Sequence, residues 1–153
     1  MSIALADLVD PKQIALNLRA STQAEAMREI VDLLVAADKI DNPQKFLEEM
    51  RGRETTNSTY AADGVAFPHA RTKLVDQIVL GIGRSENGIP WTGQGETAHL
   101  IFLIAVPARL ISDYLVVVGA IARATKDRPL RTLMFHAENV DEFIATLLSA
   151  PSI

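Results

Sequence analysis

The run Ala98-His99-Leu100-Ile101-Phe102-Leu103-Ile104-Ala105-Val106, stopped by Pro107, limits most tightly what this chain can fold into. It is nearly continuous in apolar side chains, and its core from Leu100 to Pro107 is far shorter than the roughly 20 residues a bilayer-spanning helix needs. As a strand it presents successive side chains to opposite faces of a sheet, so apolar residues on both faces demand cover on both. A central strand under two layers of helix satisfies that demand.

The flanking sequence supplies the helices. From Ser21, Thr22 and Glu25 stand at capping-box spacing, and Met27, Ile30, Val31 and Leu34 repeat at the period of one apolar helix face. Asn42-Pro43 starts a second helix with a cap and a first-turn proline; Phe46, Leu47 and Met50 form its buried side, and its end is expected near Gly52, with Arg53 and Glu54 at the exit. A third helix is expected after Pro107, capped by Ser112 or Asp113, burying Leu115, Val118, Ile121 and Ala122 and ending at Lys126-Asp127-Arg128-Pro129. A final helix starts at Asn139, with Glu142 at capping-box spacing and Phe143 and Leu147 facing inward. Gln13 to Leu18 and Gln77 to Ile82 read as further strands, and the segment Ser85 to Gly95 as a loop or an open hairpin. The fold class is α/β, with helices on both faces of a mixed sheet.

At 153 residues, with 48% hydrophobic and 22% charged content, residues 1–153 are expected to form one domain with a sizeable core. The net charge of -4, with acids and bases interleaved, offers no basic stripe for nucleic acid and no polybasic membrane segment. The absence of cysteine excludes disulfides, thiolate catalysis and thiolate metal sites. Met1-Ser2-Ile3-Ala4-Leu5-Ala6-Asp7 lacks the basic start of a signal peptide, so the expected location is cytoplasmic, with no direct membrane insertion.

The residue that suggests chemistry is His69, in Gly64-Val65-Ala66-Phe67-Pro68-His69-Ala70-Arg71, where an apolar strand ends at a proline and an imidazole follows. A neutral imidazole nitrogen is a nucleophile near neutral pH. Before it lies Arg51-Gly52-Arg53-Glu54-Thr55-Thr56-Asn57-Ser58-Thr59. A guanidinium at a helix end, followed by hydroxyls and free amides, suits a cluster of anionic oxygens, and beside a histidine this describes a phosphoryl acceptor that needs no metal and no cofactor. The alternative is local: Arg53 and Glu54 pair on a solvated helix end, and Ser58-Thr59 cap a turn. His99 reads as a packed, hydrogen-bonded ring, nothing recommends His136, and three histidines so far apart make a poor zinc site. Trp91 reads as a packing anchor, while Phe67, Leu74 and Val75 suit either a docking surface or the core.

Arg53-Glu54, Ser58-Thr59, Gly64 to His69, and Ala98 to Pro107, in that order, resemble the signature of the enzyme IIA domains of the bacterial phosphoenolpyruvate-dependent phosphotransferase system, in the fructose/mannitol and nitrogen-regulatory family. The resemblance covers essentially the whole chain. It implies a mixed, roughly five-stranded sheet flanked by helices. It also implies a phosphocarrier: His69 takes a phosphoryl group on its tele nitrogen from the histidine carrier protein and passes it to a cysteine of a IIB partner that serves a membrane IIC component. Arg53 and Thr59 are expected to steady the phosphoryl oxygens.

Two departures accompany the resemblance. Family members usually carry a second histidine at the start of the helix after the central strand, and Tyr114 stands at its place. A phenol donates a hydrogen bond to a phosphate oxygen but is neither cationic nor a base at neutral pH. Where many relatives have a glycine-rich stretch, this chain has Tyr60-Ala61-Ala62-Asp63, and Asp63 either orients a donor at the site or is a surface turn acid. The first departure motivates an alternative function, a regulatory, protein-binding module of nitrogen-regulatory type with reduced or no onward transfer.

Overall fold

The predicted central strand is the centre of the molecule. In a computed structural model that describes residues 4–150, β6 (Thr97–Val106) lies in a mixed six-stranded sheet of order β1-β5-β6-β3-β2, with β4 also paired to β6. In chain order the elements are β1 (Ile14–Ala15), α1 (Gln23–Ala36), α2 (Pro43–Thr56), β2 (Tyr60–Ala62), β3 (Val65–Ala66), β4 (His69–Arg71), β5 (Val79–Pro90), β6, α3 (Ile111–Lys126), α4 (Arg128–His136) and α5 (Val140–Leu148). β5 runs antiparallel to β6, whereas β3 and β4 run parallel to it.

The alternation along β6 divides the core into two layers. Leu100, Phe102, Ile104 and Val106 pack with Val117 and Ile121 of α3 and with Phe143 and Leu147 of α5. Ile101, Leu103 and Ala105 pack on the other face with Met27, Ile30 and Leu34 of α1 and with Phe46 and Met50 of α2. At roughly 25 cal/mol per Å² of apolar surface removed from water, a strand buried on both faces contributes to both core layers at once. α1 comes close because β5 carries glycine beneath it: a Cβ at Gly81 would lie 2.6 Å from Cγ2 of Ile30.

The predicted caps are present. Thr22 accepts from the Glu25 amide at 3.2 Å, Asn42 from Lys45 at 3.2 Å and Asn139 from Glu142 at 2.8 Å. Each satisfies one of the unpaired amides that open a helix.

The mixed sheet flanked by helices is the one the resemblance implies; it counts six strands because the line of chain beside β6 is broken into β3 and β4. Other, local expectations are corrected. β3 ends before Phe67, Pro68 has no amide to give the ladder, and β4 resumes at His69. The Pro68 carbonyl still accepts from Ile104 at 2.9 Å, which keeps both halves on one line. The segment from Ser85 to Pro90 belongs to β5, with a register shift between Arg84 and Ile89, so only the tip of the β5–β6 hairpin is a turn. β1 covers only Ile14–Ala15 of the expected Gln13 to Leu18.

The helix corrections share a cause, the ambiguity of local signals. α2 runs past the exposed Gly52 to Thr56, and the Thr55 and Thr56 hydroxyls donate to carbonyls one turn back. Neither Ser112 nor Asp113 caps α3, which buries Tyr114, Val117, Ile121 and Ala124 and leaves Leu115 61% exposed. In the all-apolar run Leu115 to Val118 the phase of the helix has no polar mark. Arg128-Pro129 does not simply end α3: Asp127 accepts from Leu130 at 3.0 Å and starts α4, with the proline in its first turn.

Candidate functional site

β4 is an edge strand, and its first residue is His69. The link Phe67-Pro68 between β3 and β4 leaves the Phe67 carbonyl 2.8 Å from Nδ1 of the imidazole. A carbonyl only accepts, so Nδ1 carries the proton and donates it, and Nε2 keeps its lone pair. Burial holds the His69 pKa below the ordinary histidine value of 6.5; the nearby Arg53 charge pushes the same way, while the Phe67 bond and Glu54 oppose it. The ring is therefore neutral at pH 7 and nucleophilic at Nε2.

Tyr114 covers this ring from α3, with centroids 5.1 Å apart and planes tilted by 36°. It is buried, and burial raises the phenol pKa above 10, against the pull of Arg53. The hydroxyl thus stays protonated and available to donate. Arg53, half-buried in the last turn of α2, donates through its guanidinium to the Asn57 carbonyl at 2.8 Å, which closes the helix end and fixes the charge beside both rings.

Behind Arg53 stands a group whose part sequence reasoning missed. Glu54 accepts from the Thr59 amide at 2.7 Å, the Thr59 hydroxyl at 2.6 Å and the Trp91 indole at 3.1 Å. One carboxylate ties the end of α2, the loop after it and the tip of the β5–β6 hairpin. Trp91 lies 37 positions away in the chain. No local spacing announces that contact; the only available signal was that an acid directly follows the candidate arginine.

Of the expected residues, His69, Arg53 and Tyr114 come together. Thr59 is adjacent through its backbone, since its carbonyl accepts from the Phe67 amide at 3.0 Å, but its hydroxyl proton points to Glu54. Asp63 lies elsewhere. It occupies the β2–β3 turn with φ 55°, and its carboxylate is 3.6 Å from the guanidinium of Arg131 on α4. The neighbouring Gly64 carbonyl receives the Leu100 amide at 3.0 Å, whereas His69 aligns with Ile104, roughly 13 Å further along β6 at about 3.3 Å per residue. Asp63 is thus a turn acid. His99 donates from Nδ1 to the Ser85 carbonyl at 2.9 Å and packs edge-on against Phe135. Phe67 and Val75 are core residues, one in each layer, and Leu74 is half-buried. Among the described residues no group of three or more histidine or acidic side chains is placed to hold a metal ion.

A neutral nucleophilic nitrogen, a fixed guanidinium and a free phenol donor form an arrangement suited to receiving a tetrahedral or planar oxyanion. Comparisons with known proteins point the same way. The sequence profile described as phosphoenolpyruvate-dependent sugar phosphotransferase system, EIIA 2, matches residues 7–150. A fructose-specific EIIABC component of the phosphotransferase system from Bacillus subtilis is 28% identical over 141 residues, covering 92% of this chain and 22% of that protein. The chain therefore spans about a fifth of that relative's length. Among solved structures, the nitrogen regulatory protein IIA-Ntr from Neisseria meningitidis superposes with a TM-score of 0.85 at 22% identity, over 94% of this chain and 98% of that one. In a complex of enzyme IIA and phosphorylated enzyme IIB for mannitol from Escherichia coli, the similar chain gives 0.79 at 22% identity, over 92% and 96%. At such identities the structural likeness establishes the shared fold.

Proposed function

Because the chain belongs to the EIIA 2 family of the phosphoenolpyruvate-dependent sugar phosphotransferase system, we propose that it is a phosphocarrier whose acceptor atom is Nε2 of His69. The observation that carries this reading is the bond from Nδ1 to the Phe67 carbonyl, which leaves Nε2 as the free lone pair. In the first step Nε2 attacks the phosphorus held on the imidazole of the histidine carrier protein. An N–P bond forms at His69 as the donor's N–P bond breaks, and the donor imidazole leaves with the electron pair. The His69 ring gains positive character, which the Phe67 carbonyl disperses through the Nδ1 proton. Arg53 and the Tyr114 hydroxyl balance the charge on the phosphoryl oxygens. In the second step a thiolate of a IIB partner takes the phosphoryl group, the N–P bond breaks, and His69 returns to its neutral, Nδ1-protonated form. Arg53 and Tyr114 touch the phosphoryl group; Glu54 and Thr59 act through them by holding the loop.

A second reading rests on Tyr114 standing where relatives carry histidine: a regulatory protein-binding module with slowed onward transfer. A phenol supplies a hydrogen bond without a titratable cation, so it stabilises an incoming anionic phosphoryl oxygen less than an imidazolium does.

One experiment addresses both. Incubation with labelled phosphoenolpyruvate, enzyme I and the histidine carrier protein is expected to give one acid-labile phosphate per chain, absent in His69→Ala. Equal labelling of His69→Ala would remove the assignment. Slow labelling of the unaltered chain, accelerated in Tyr114→His, would favour the regulatory reading over the transport one.

A further inference from the structure

Toward its start, about 16 Å along β6 from the residue that aligns with His69, the central strand departs from regular alternation. The amides of His99 and Leu100 both donate to the Gly64 carbonyl, at 2.7 and 3.0 Å, so β6 carries one extra residue in its ladder to β3. The packing shows the same step. Ala98 lies in the α1–α2 layer and Leu100, two positions on, in the α3–α5 layer, where a regular strand would keep both on one face. The bulge brings His99 to Phe135 of α4, which meets its ring edge-on at 6.0 Å, while Nδ1 donates to the Ser85 carbonyl at 2.9 Å. The rest of the ring lies against glycine: a Cβ at Gly64 would be 3.3 Å from Cδ2, and one at Gly88 would be 3.1 Å from Nε2. Because residue 88 has no side chain, the ring edge that carries Nε2 stays open. Nε2 has no partner among the described residues, and solvent reaches it.

Arg84, opposite Leu100 on β5, is fixed beside this histidine. Its Nε donates to the Leu16 carbonyl at 3.0 Å, and its Nη1 to the carbonyls of Met134, Phe135 and Ala137 at 2.9, 3.3 and 2.9 Å. The end of α4 thereby gains donors for carbonyls that a helix leaves unpaired. That structural use occupies two of the three guanidinium nitrogens. Nη2 has no acceptor among the described residues, and solvent reaches it. Arg84 and His99 line one cavity of about 560 Å³, together with Leu16, Phe135 and the exposed Glu86 and Glu138. Its volume is that of a small-molecule site. Glu86 is near enough for its charge to bear on Arg84, yet the two form no ion pair.

The charges around the cavity select the ligand. Two carboxylates against one guanidinium repel a phosphorylated compound or a dicarboxylate. A simple amine satisfies the carboxylates but covers Nη2 without giving it an acceptor. A zwitterion meets both demands. We propose that this cavity binds a free α-amino acid with an apolar side chain. Its carboxylate accepts from Nη2 of Arg84, and its ammonium donates to Glu86 or Glu138 and to Nε2 of His99. Its side chain lies on Leu16 and Phe135. Binding here is independent of the phosphocarrier reading, since no residue of the His69 site lines the cavity.

The test is an amide-resolved NMR titration of the full chain with L-leucine and with L-phenylalanine. Saturable shifts are expected at Ser85, His99 and Ala137 with at least one of the two. For that amino acid, affinity is expected to fall about tenfold in Glu86→Gln/Glu138→Gln, as loss of a charged hydrogen-bond partner requires. Both side chains are exposed, so the fold is kept. His99→Phe keeps a ring between the two glycines, removes Nε2 and is expected to weaken binding as well; the glutamine pair decides the matter if His99→Phe disturbs the spectrum elsewhere. Two fragments of leucine complete the experiment: 4-methylpentanoate lacks the ammonium and 3-methylbutylamine lacks the carboxylate. Each is expected to bind at least about tenfold more weakly than leucine. No shifts from either amino acid, undiminished binding in Glu86→Gln/Glu138→Gln, or equal binding of either fragment overturns the proposal. His69→Ala is expected to keep the amino-acid shifts while losing the phosphate label, so this proposal and the phosphocarrier reading fail separately.

Discussion

At the scale of single residues, the site depends on which nitrogen of His69 is free and how long it stays neutral. Because burial favours the uncharged ring, the proton that would block Nε2 binds less readily than to an exposed histidine. An NMR titration of His69 is thus expected to have its midpoint below 6.5, and labelling at His69 to stay level from pH 8 to about 6.5 and to fall only in more acidic solution. A midpoint above 6.5 would show that Glu54 and the Phe67 bond outweigh burial. Tyr114→Phe removes one donor and leaves the ring that covers His69. Loss of an oxyanion donor costs roughly a hundredfold or more in a closed active site, and an open acceptor site is expected to lose about tenfold to a hundredfold. Rapid-quench measurement of phosphoryl transfer, beside an unchanged melting temperature, checks this. His69 and Arg53 were legible as candidates because a nucleophile and a cation are defined by residue type. The turning of the Thr59 hydroxyl and Asp63 away from the site was not legible, because a hydroxyl or carboxylate goes to whatever partner the fold brings near.

At the scale of elements, the end of α2 is the part that positions the chemistry. Glu54 is a positioning residue: both of its oxygens face donors, Thr59 N and Oγ1 and Trp91 Nε1. In Glu54→Gln one oxygen becomes an amide that can only donate, and it meets a donor. The expected cost is about 1 to 3 kcal/mol of stability in urea denaturation, because a partly buried polar group loses its partner. Transfer to His69 is expected to slow as the helix end carrying Arg53 loosens. Trp91→Phe keeps the buried ring, removes one of the three bonds and is expected to cost less than Glu54→Gln in the same measurements. Element boundaries show why local signals mislead here. Gly52 read as a stop because glycine weakens a helix by about 1 kcal/mol relative to alanine. Three hydrogen bonds closing the last turn, from Arg53, Thr55 and Thr56, outweigh that. Likewise Arg128-Pro129 read only as an end, although proline is as much at home in a first turn as after a last one.

At the scale of the whole molecule, β6 joins the two core layers and aligns the acceptor strand with them. Phe102, fully buried at its centre, stacks on Phe67, the residue whose carbonyl orients His69, with ring centroids 5.7 Å apart. Phe102→Ala is expected to cost about 3 to 5 kcal/mol through lost burial and the cavity left behind, measured as a shift of the denaturation midpoint with little change in slope. A loss below 1 kcal/mol would mean that the layer collapses around the gap. The fold class was legible in this run of the sequence, because an apolar strand with no polar face admits few solutions. The helix caps at Thr22, Asn42 and Asn139 were legible because a cap is a contact between residues three apart.

What the sequence by itself determined is therefore whatever depends on neighbours in the chain: the buried strand, three of the helix starts, and the place of the candidate histidine directly after Pro68. The tertiary structure alone decided which face α3 buries, the break of the line beside β6 into β3 and β4, the Glu54–Trp91 contact, and the meeting of His69 with Tyr114. Each of these joins segments far apart in the chain. Their pairing is set by how two core layers close on one sheet, and no local spacing encodes which distant partner a side chain will meet.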